Sequence, residues 1–589
     1  MPSPASRDLP LALPLALVVT ALLTPALALI DDFPVVTTDQ GSSILGRKLT
    51  SAGLRSGSLP RDYAAFFGVP YAKAPVGNRR FRPPVPEPLP SVVDAKMPTP
   101  GCLQLNRQPS DIVGSEDCLT LQIFTPNYDR AAGLDVIVHI HGGGFMFGNA
   151  ARTGLQYLMD YDVVVVTVGY RLGVLGYLSF EDEELPGNVG MLDQVQALRW
   201  VQENIVYFGG NKQSITLAGF SAGAASVLMH TLSPLSKGLF HKAVAMSGSP
   251  LNPWAVQPAA AAKAKRLAEM VGCTGADTAA LVSCLQASSA TVLVALQSQF
   301  QGWRQHPAVP FGPVVDSQRK TPFLPLHPAD LLDKQTSADV PLLLSVANDD
   351  GLFPAAEFIL EDSLVQELDD RWAEVGPMLL HLHVERADEI PCIMQNIREH
   401  YLQKESLRHS RKQLVELISD RTFFSGVNDF ALTAAATWSS PVYMYRFKYR
   451  GQYSLTTSLT GGNTTDLGVC HGDDDQYIFE ESWSGVMQTA TDLDMRRQLI
   501  ELWVSFAKNS IPVLSGGNWT PLSKVRSDVL QILDVYGPGN VTMVHIKDFG
   551  QTAFWSSLQC KTNGTNSARS AASLLLFIAG FIVLVFKTG

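Results

Sequence analysis

The chain has 589 residues, 46% hydrophobic and 17% charged, which excludes disorder over most of its length and supplies enough apolar side chains for a large core. A net charge of −10 and the absence of any basic run argue against a nucleic-acid binder. Seven cysteines without a C-x-x-C pair exclude the common zinc frameworks, and neither a Walker A loop nor an H-E-x-x-H helix occurs.

The first element is a nearly uninterrupted apolar run from Leu9 to Leu29, with Ala26-Leu27-Ala28 as the small-x-small pattern of a signal peptidase site. It predicts a cleaved signal peptide over 1–28, the alternative being a short membrane anchor. A signal would deliver the chain to an oxidising compartment, where cysteines pair.

From residue 29 to 560 the sequence reads as one domain, without repeats, low-complexity tracts or a linker. Asp135 to His141 is a strand candidate and Asp162 to Val168 is another, nearly all apolar. Gly190 to Gln202 then places Met191, Leu192, Val195, Leu198 and Val201 at helical spacing. Ser214 to Ala218 is the next strand, and Ala222 to Leu232 the next helix. Apolar strands separated by helices predict an α/β fold whose largely parallel sheet is covered on both faces. In such sheets ligands sit outside the carboxyl ends of the strands, so the residues just after strands matter most.

Two segments there carry chemistry. Gly219-Phe220-Ser221-Ala222-Gly223 is a G-x-S-x-G pattern between a predicted strand and a predicted helix. The turn must be tight, and it would present Ser221 Oγ at the sheet edge as a nucleophile. His141-Gly142-Gly143-Gly144-Phe145 follows the strand 135–141. Residues without Cβ let backbone N–H groups converge on one point, as the oxyanion of a tetrahedral intermediate requires. Gly143, Gly144 and Ala222 are the predicted donors.

With these motifs in view, the chain resembles the type-B carboxylesterase/cholinesterase family of α/β-hydrolases. The stretches that carry the resemblance include Phe67-Gly68-Val69-Pro70-Tyr71-Ala72, Arg80-Phe81-Arg82-Pro83-Pro84 and Glu116-Asp117-Cys118-Leu119. Tyr170-Arg171-Leu172-Gly173, Gly187-Asn188-Val189-Gly190-Met191-Leu192-Asp193-Gln194 and Phe208-Gly209-Gly210-Asn211 extend it. The resemblance implies the α/β-hydrolase fold and the order Ser, acid, His. The strand from Pro341 to Val346 leads to Asp350 before Gly351, the position of the family's acid, with Asp349 as the alternative. Gly468-Val469-Cys470-His471-Gly472-Asp473 resembles the family's histidine segment, which makes His471 the general base. His381, His383 and His400 lie in a polar helical region and read as solvated surface.

The family's loop disulfides correspond to Cys102–Cys118 and Cys273–Cys284. Cys470 reads as a small buried thiol, and a Cys392–Cys560 pair stays open. Arg171 and Asp193 look like the family's buried ion pair. Two departures bear on the site: the usual Glu before the nucleophile is Phe220, and the usual Asn before Tyr-Arg is Gly169. The short Cys102–Cys118 loop has no Trp to stack choline. The segment Gln305 to Pro310 lacks the phenylalanines of a choline esterase's acyl pocket. A carboxylesterase acting on a small-molecule ester without cofactor or metal is therefore expected, rather than a cholinesterase. The alternative is a catalytically weak or inert cell-surface adhesion or receptor ectodomain of the neuroligin type.

Sequons at Asn463, Asn518, Asn540 and Asn563 fit an exported glycoprotein. At the far end, Leu574 to Phe586 is apolar but too short to cross the ~30 Å hydrocarbon core comfortably. Small residues precede it. Residues 561–589 therefore read as a GPI-attachment signal, with Asn563, Gly564, Asn566 or Ser567 as attachment site, or else as a short membrane anchor. Oligomeric state is not legible.

Overall fold

Runs of Val, Leu and Ile that are apolar on both faces can be buried only in the middle of a layered structure, and here they form the centre of an eleven-stranded sheet. The computed structural model describes residues 33–560 except 107–110, 152–154, 335–336, 383–386, 404, 480–486, 488, 518, 526–527 and 559. The signal, anchor, Asn518 and Asn563 expectations fall outside the described residues.

In chain order the sheet strands are β1 (Arg47–Thr50), β2 (Asp62–Pro70), β3 (Thr120–Thr125), β4 (Leu134–Ile140), β5 (Val163–Val168) and β6 (Gly210–Phe220). They continue with β7 (Lys242–Met246), β8 (Leu342–Ala347), β9 (Val442–Phe447), β10 (Val529–Gly537) and β11 (Asn540–Lys547). Their spatial order is β11-β10-β9-β8-β7-β6-β4-β5-β3-β2-β1. From β5 across to β10 every neighbouring pair is parallel, and antiparallel strands flank this block on both sides. The sheet is thus mostly parallel, as expected. The strands expected over 135–141, 162–168, 214–218 and 341–346 correspond to β4, β5, β6 and β8.

The principal helices are α1 (Val189–Asn204), α2 (Ala222–Leu232), α3 (Ile390–Leu402) and α4 (Ala490–Asn509). Alternate residues of β4 point to opposite faces. Val136 and Val138 pack with Val195 and Leu198 of α1 and with Val227 and Leu228 of α2. Ile137 packs into a second core with Leu499, Trp503 and Phe506 of α4. Both faces of the sheet are therefore covered.

A third core lies apart from the sheet. Leu368, Trp372, Leu379, Ile397 of α3 and Leu417 bury one another in a helical region spanning roughly the segment between β8 and β9. This corrects the surface assignment of His381, which is buried with a left-handed backbone at φ 46° beyond the helix Trp372–Leu379. The region looks polar in sequence because each helix shows solvent one face, while the opposite faces form a core. His400 is exposed, as expected, and stacks on Phe554 with ring centroids 3.9 Å apart. His383 lies outside the described residues.

Candidate active site

Ser221 sits between the end of β6 and the start of α2, with φ 59° and ψ −121°. That conformation is rare for a residue with a Cβ and persists only where surroundings enforce it. Here they do: the Ser221 N–H donates to Met246 O at 2.7 Å, and a Cβ on Gly223 would overlap the Ile140 carbonyl oxygen. Strand, turn and helix are so closely folded that only a glycine fits. Ala222 opens α2, so its N–H belongs to the first turn, whose donors have no intrahelical acceptor.

The glycine segment after β4 lies against this turn. A Cβ on Gly142 would stand 2.7 Å from Phe220 O and 3.0 Å from Ser221 Cβ. Gly143 adopts φ 107°, and its carbonyl accepts from the N–H groups of Met146 and Phe147 at 2.9 and 3.1 Å. With its carbonyl bound inside the loop, a Cβ there would overlap Phe147 O. His141 anchors the segment: its ring stacks on Tyr170 at 4.4 Å, and the Tyr170 hydroxyl donates to His141 O at 2.9 Å. The three predicted donors, Gly143, Gly144 and Ala222, thus sit on two abutting turns beside Ser221.

Asp350 follows β8 and is fully buried. His471 Nδ1 lies 2.8 Å from Asp350 Oδ1. The other carboxylate oxygen, Oδ2, accepts from the Ser247 hydroxyl and from the Ala347 N–H, both at 3.1 Å. Burial pushes the Asp350 carboxyl up, while the bonds from His471, Ser247 and Ala347 pull the other way. The alternative acid, Asp349, has a different task. Its Oδ2 accepts from the Val469 N–H at 2.9 Å, and its own N–H donates to Val469 O at 2.9 Å. Asp349 therefore clamps the loop that carries His471, and Asp350 meets the imidazole.

Three phenylalanines wall the His471 ring: Phe423 at 4.5 Å, Phe220 at 4.6 Å and Phe353 at 5.2 Å between centroids. Phe220 is buried and fills the space beside the imidazole and Gly472, so this departure from the family pattern brings in aromatic packing where a carboxylate usually stands. Gly169 is equally built in. A Cβ there would lie 2.8 Å from Cys118 O and 3.1 Å from Thr120 O. Arg171 and Asp193 form the expected buried ion pair, bidentate at 2.6 and 2.7 Å.

Behind the histidine lie further carboxyls. Asp474 Oδ2 accepts from Ser345 Oγ at 3.1 Å and from the Tyr445 hydroxyl at 3.2 Å. Burial, followed by the charges of Asp350 and Asp475, pushes Asp474 up to about 7. Asp473 accepts from the N–H groups of Leu455 and Cys470 at 2.9 and 2.8 Å, and burial raises it to about 7 as well. Sequence reasoning missed Ser247, Phe353, Phe423 and Asp474 as parts of the site. Only the run Asp473-Asp474-Asp475 next to His471 offered a signal; the others come from elements distant in the chain.

The disulfides Cys102–Cys118 and Cys273–Cys284 are formed, as is Cys392–Cys560, the pair left open by the sequence. Cys470 is buried, its sulfur outside all three. Asn463 and Asn540 are exposed.

Comparison with known proteins gives a consistent answer. The profile of the carboxylesterase family matches residues 32–540. Venom carboxylesterase-6 of Apis mellifera is 35% identical over 514 residues, covering 86% of this chain and 92% of that protein. Esterase FE4 of Myzus persicae is 37% identical over 487 residues, 81% of this chain and 86% of that protein. Among solved structures, juvenile hormone esterase from Manduca sexta, with OTFP covalently attached, superposes with a TM-score of 0.76 at 28% identity. That match covers 90% of this chain and 99% of the other.

Proposed function

The chain belongs to the carboxylesterase family and is a carboxylic ester hydrolase, and on that premise we propose that it works through an acyl-enzyme on Ser221. The observation that carries this reading is the His471–Asp350 contact of 2.8 Å beside the strained turn of Ser221. Ser221 Oγ attacks the ester carbonyl carbon while His471 Nε2 takes its proton. The carbonyl electrons move to an oxyanion held by the N–H groups of Gly143, Gly144 and Ala222. As the tetrahedral intermediate collapses, the carbon–oxygen bond to the alcohol breaks and His471 returns the proton to the leaving oxygen. Water then attacks the acyl-enzyme with His471 again as base, releasing the acid and restoring Ser221. Asp350 holds the imidazole in the required tautomer and stabilises its protonated form. That the Manduca sexta juvenile hormone esterase carries OTFP covalently attached accords with covalent chemistry in that relative.

We further propose, from the apolar runs and the sequons, that the enzyme is exported by a signal over residues 1–28 and is held at the cell surface through residues 561–589, as a GPI signal or a short anchor, or is secreted if that signal is not used. The test of the chemistry is hydrolysis of p-nitrophenyl acetate, butyrate and a longer ester by wild type and Ser221→Ala. Loss of at least about a thousandfold in the variant is expected. Equal rates, or no turnover by folded wild type, would sink it. Release of the cell-surface protein by phosphatidylinositol-specific phospholipase C tests the lipid anchor; retention would favour a membrane-spanning segment.

A further inference from the structure

The loop that carries the proposed oxyanion donors is backed by a segment poor in hydrogen bonds of its own. A Cβ on Gly144 would stand 3.2 Å from Val309 Cγ2, and beyond its chain neighbours no other atom of the described residues lies within 4 Å of that point. Val309 is buried, and on its other branch a Cβ on Gly312 would stand 3.3 Å from Cγ1. The chain here reads Pro307-Ala308-Val309-Pro310-Phe311-Gly312-Pro313. Its prolines carry no N–H, so the stretch has few donors with which to brace itself.

The brace comes from another element. Lys263, on the helix Ala260–Met270, donates from Nζ to Pro310 O at 2.7 Å and to Gln257 Oε1 at 3.0 Å. Gln257 in turn donates its backbone N–H to Pro313 O and its Nε2 to Trp254 O, both at 2.8 Å. Among the described residues, the bond from Lys263 is the only hydrogen bond that residues 307–312 make. Burial pushes the Lys263 amine down to about 7, although the charge of Glu181 opposes this. Methionine would fill the same space without desolvating an amine, so what distinguishes lysine here is the pair of bonds it makes.

We propose that Lys263 is a positioning residue for acyl selectivity: by holding Pro310 O it keeps Val309 against Gly144, and Val309 limits the branching of the acyl group that Ser221 accepts. The proposal rests on the reading of Ser221 as nucleophile and of Gly144 as oxyanion donor. His471 must return a proton to the leaving oxygen, which sets the alcohol portion towards the imidazole. The side of Gly144 and Val309 is then left to the acyl group. Cutting the bond to Pro310 O frees Val309 to withdraw, and a wider acyl group fits.

The test compares p-nitrophenyl trimethylacetate with p-nitrophenyl acetate, which share the alcohol part and differ in acyl branching. Relative to wild type, the ratio of kcat/KM, branched over plain, is expected to rise about tenfold in Lys263→Met. In Lys263→Arg, which keeps the donors, it should stay within about twofold of wild type. Val309→Ala should raise the ratio as well, and Lys263→Met should add little on top of it, because both act through one side chain. The ratio of 2-naphthyl acetate to p-nitrophenyl acetate, which probes the alcohol part, should not follow. An unchanged acyl ratio in folded Lys263→Met overturns the proposal, as does an alcohol ratio that moves equally. Should Lys263→Met fail to fold, an unchanged acyl ratio in Val309→Ala, which cuts no hydrogen bond, overturns it alone. A wild type inert towards acetate, or a Ser221→Ala variant as active as wild type, instead sinks the nucleophile reading, and this inference with it.

Discussion

The Ser247 hydroxyl donates to Asp350 Oδ2 at 3.1 Å, on the carboxylate oxygen that His471 leaves unused. The acid is thereby gripped from two sides, and its orientation towards the imidazole does not depend on His471 alone. Ser247→Ala removes one donor from a buried carboxylate. Such bonds are worth about 1.5–3 kcal/mol, so kcat/KM should fall roughly tenfold or more. Loss of the donor also raises Asp350 further, and activity should fail at a higher pH than in wild type as the solution is acidified. A pH–rate profile with p-nitrophenyl butyrate checks this; an unmoved acid limb would reduce Ser247 to a space-filling role.

Gly143→Ala addresses the proposed oxyanion donors. The new methyl group would overlap Phe147 O and force the loop to shift at a backbone of φ 107°. Losing one such donor costs about 3–4 kcal/mol in the transition state, so kcat should drop by about a hundredfold or more. KM should change far less, and steady-state kinetics on one ester separates the two.

Phe220→Glu restores the residue usual in relatives and should not help. The ring is buried against His471 and Gly472, and a carboxylate in its place would lie in this packed space beside the imidazole. Lost packing and an added buried charge predict destabilisation of about 3 kcal/mol with no gain in kcat. Urea denaturation and turnover numbers test the two halves separately. A more active and equally stable variant would show that Phe220 marks a weakened site.

Asp474→Asn should stabilise the protein, in a pH-dependent way. The folded state raises this carboxyl from 3.8 to about 7, so between those values the folded chain binds the proton more tightly than the unfolded chain does. Stability from this group is therefore greatest below about pH 4 and is lost as pH rises through about 7. At about 1.4 kcal/mol per tenfold, the buried charge opposes folding by up to about 4 kcal/mol at pH 8. An amide keeps an oxygen for Ser345 and Tyr445 and carries no charge. The melting temperature of Asp474→Asn should match wild type near pH 4 and exceed it at pH 8. A gap that shrinks with rising pH would contradict the assignment.

Much of this architecture is legible in the sequence, for physical reasons that differ by residue. The strand of Val163–Val168 announces itself by being apolar on both faces, and the turn at Ser221 by small residues at fixed offsets. The pairing of Asp350 with His471 spans 121 residues and became legible only through the family resemblance. Ser247 gave no sign, because a serine after a strand is common and its importance comes from the neighbouring strand. His381 was misread because helices packed on one another look polar when each is viewed alone.

Strands β6, β7 and β8 are neighbours in the sheet, and Phe220, Met246 and Ser345 lie in register across them. Ser221 and Ser247 follow the first two directly, and Asp350 leaves from the third. Adjacent strands are spaced about 4.8 Å apart, so the sheet acts as a ruler against which the nucleophile and the acid's support are set. Their separation is set by the peptide hydrogen bonds of the sheet rather than by the side chains around them. Variation among descendants of this chain is then free to reshape the entrance, one loop at a time, while the distances that matter for bond breaking are inherited unchanged.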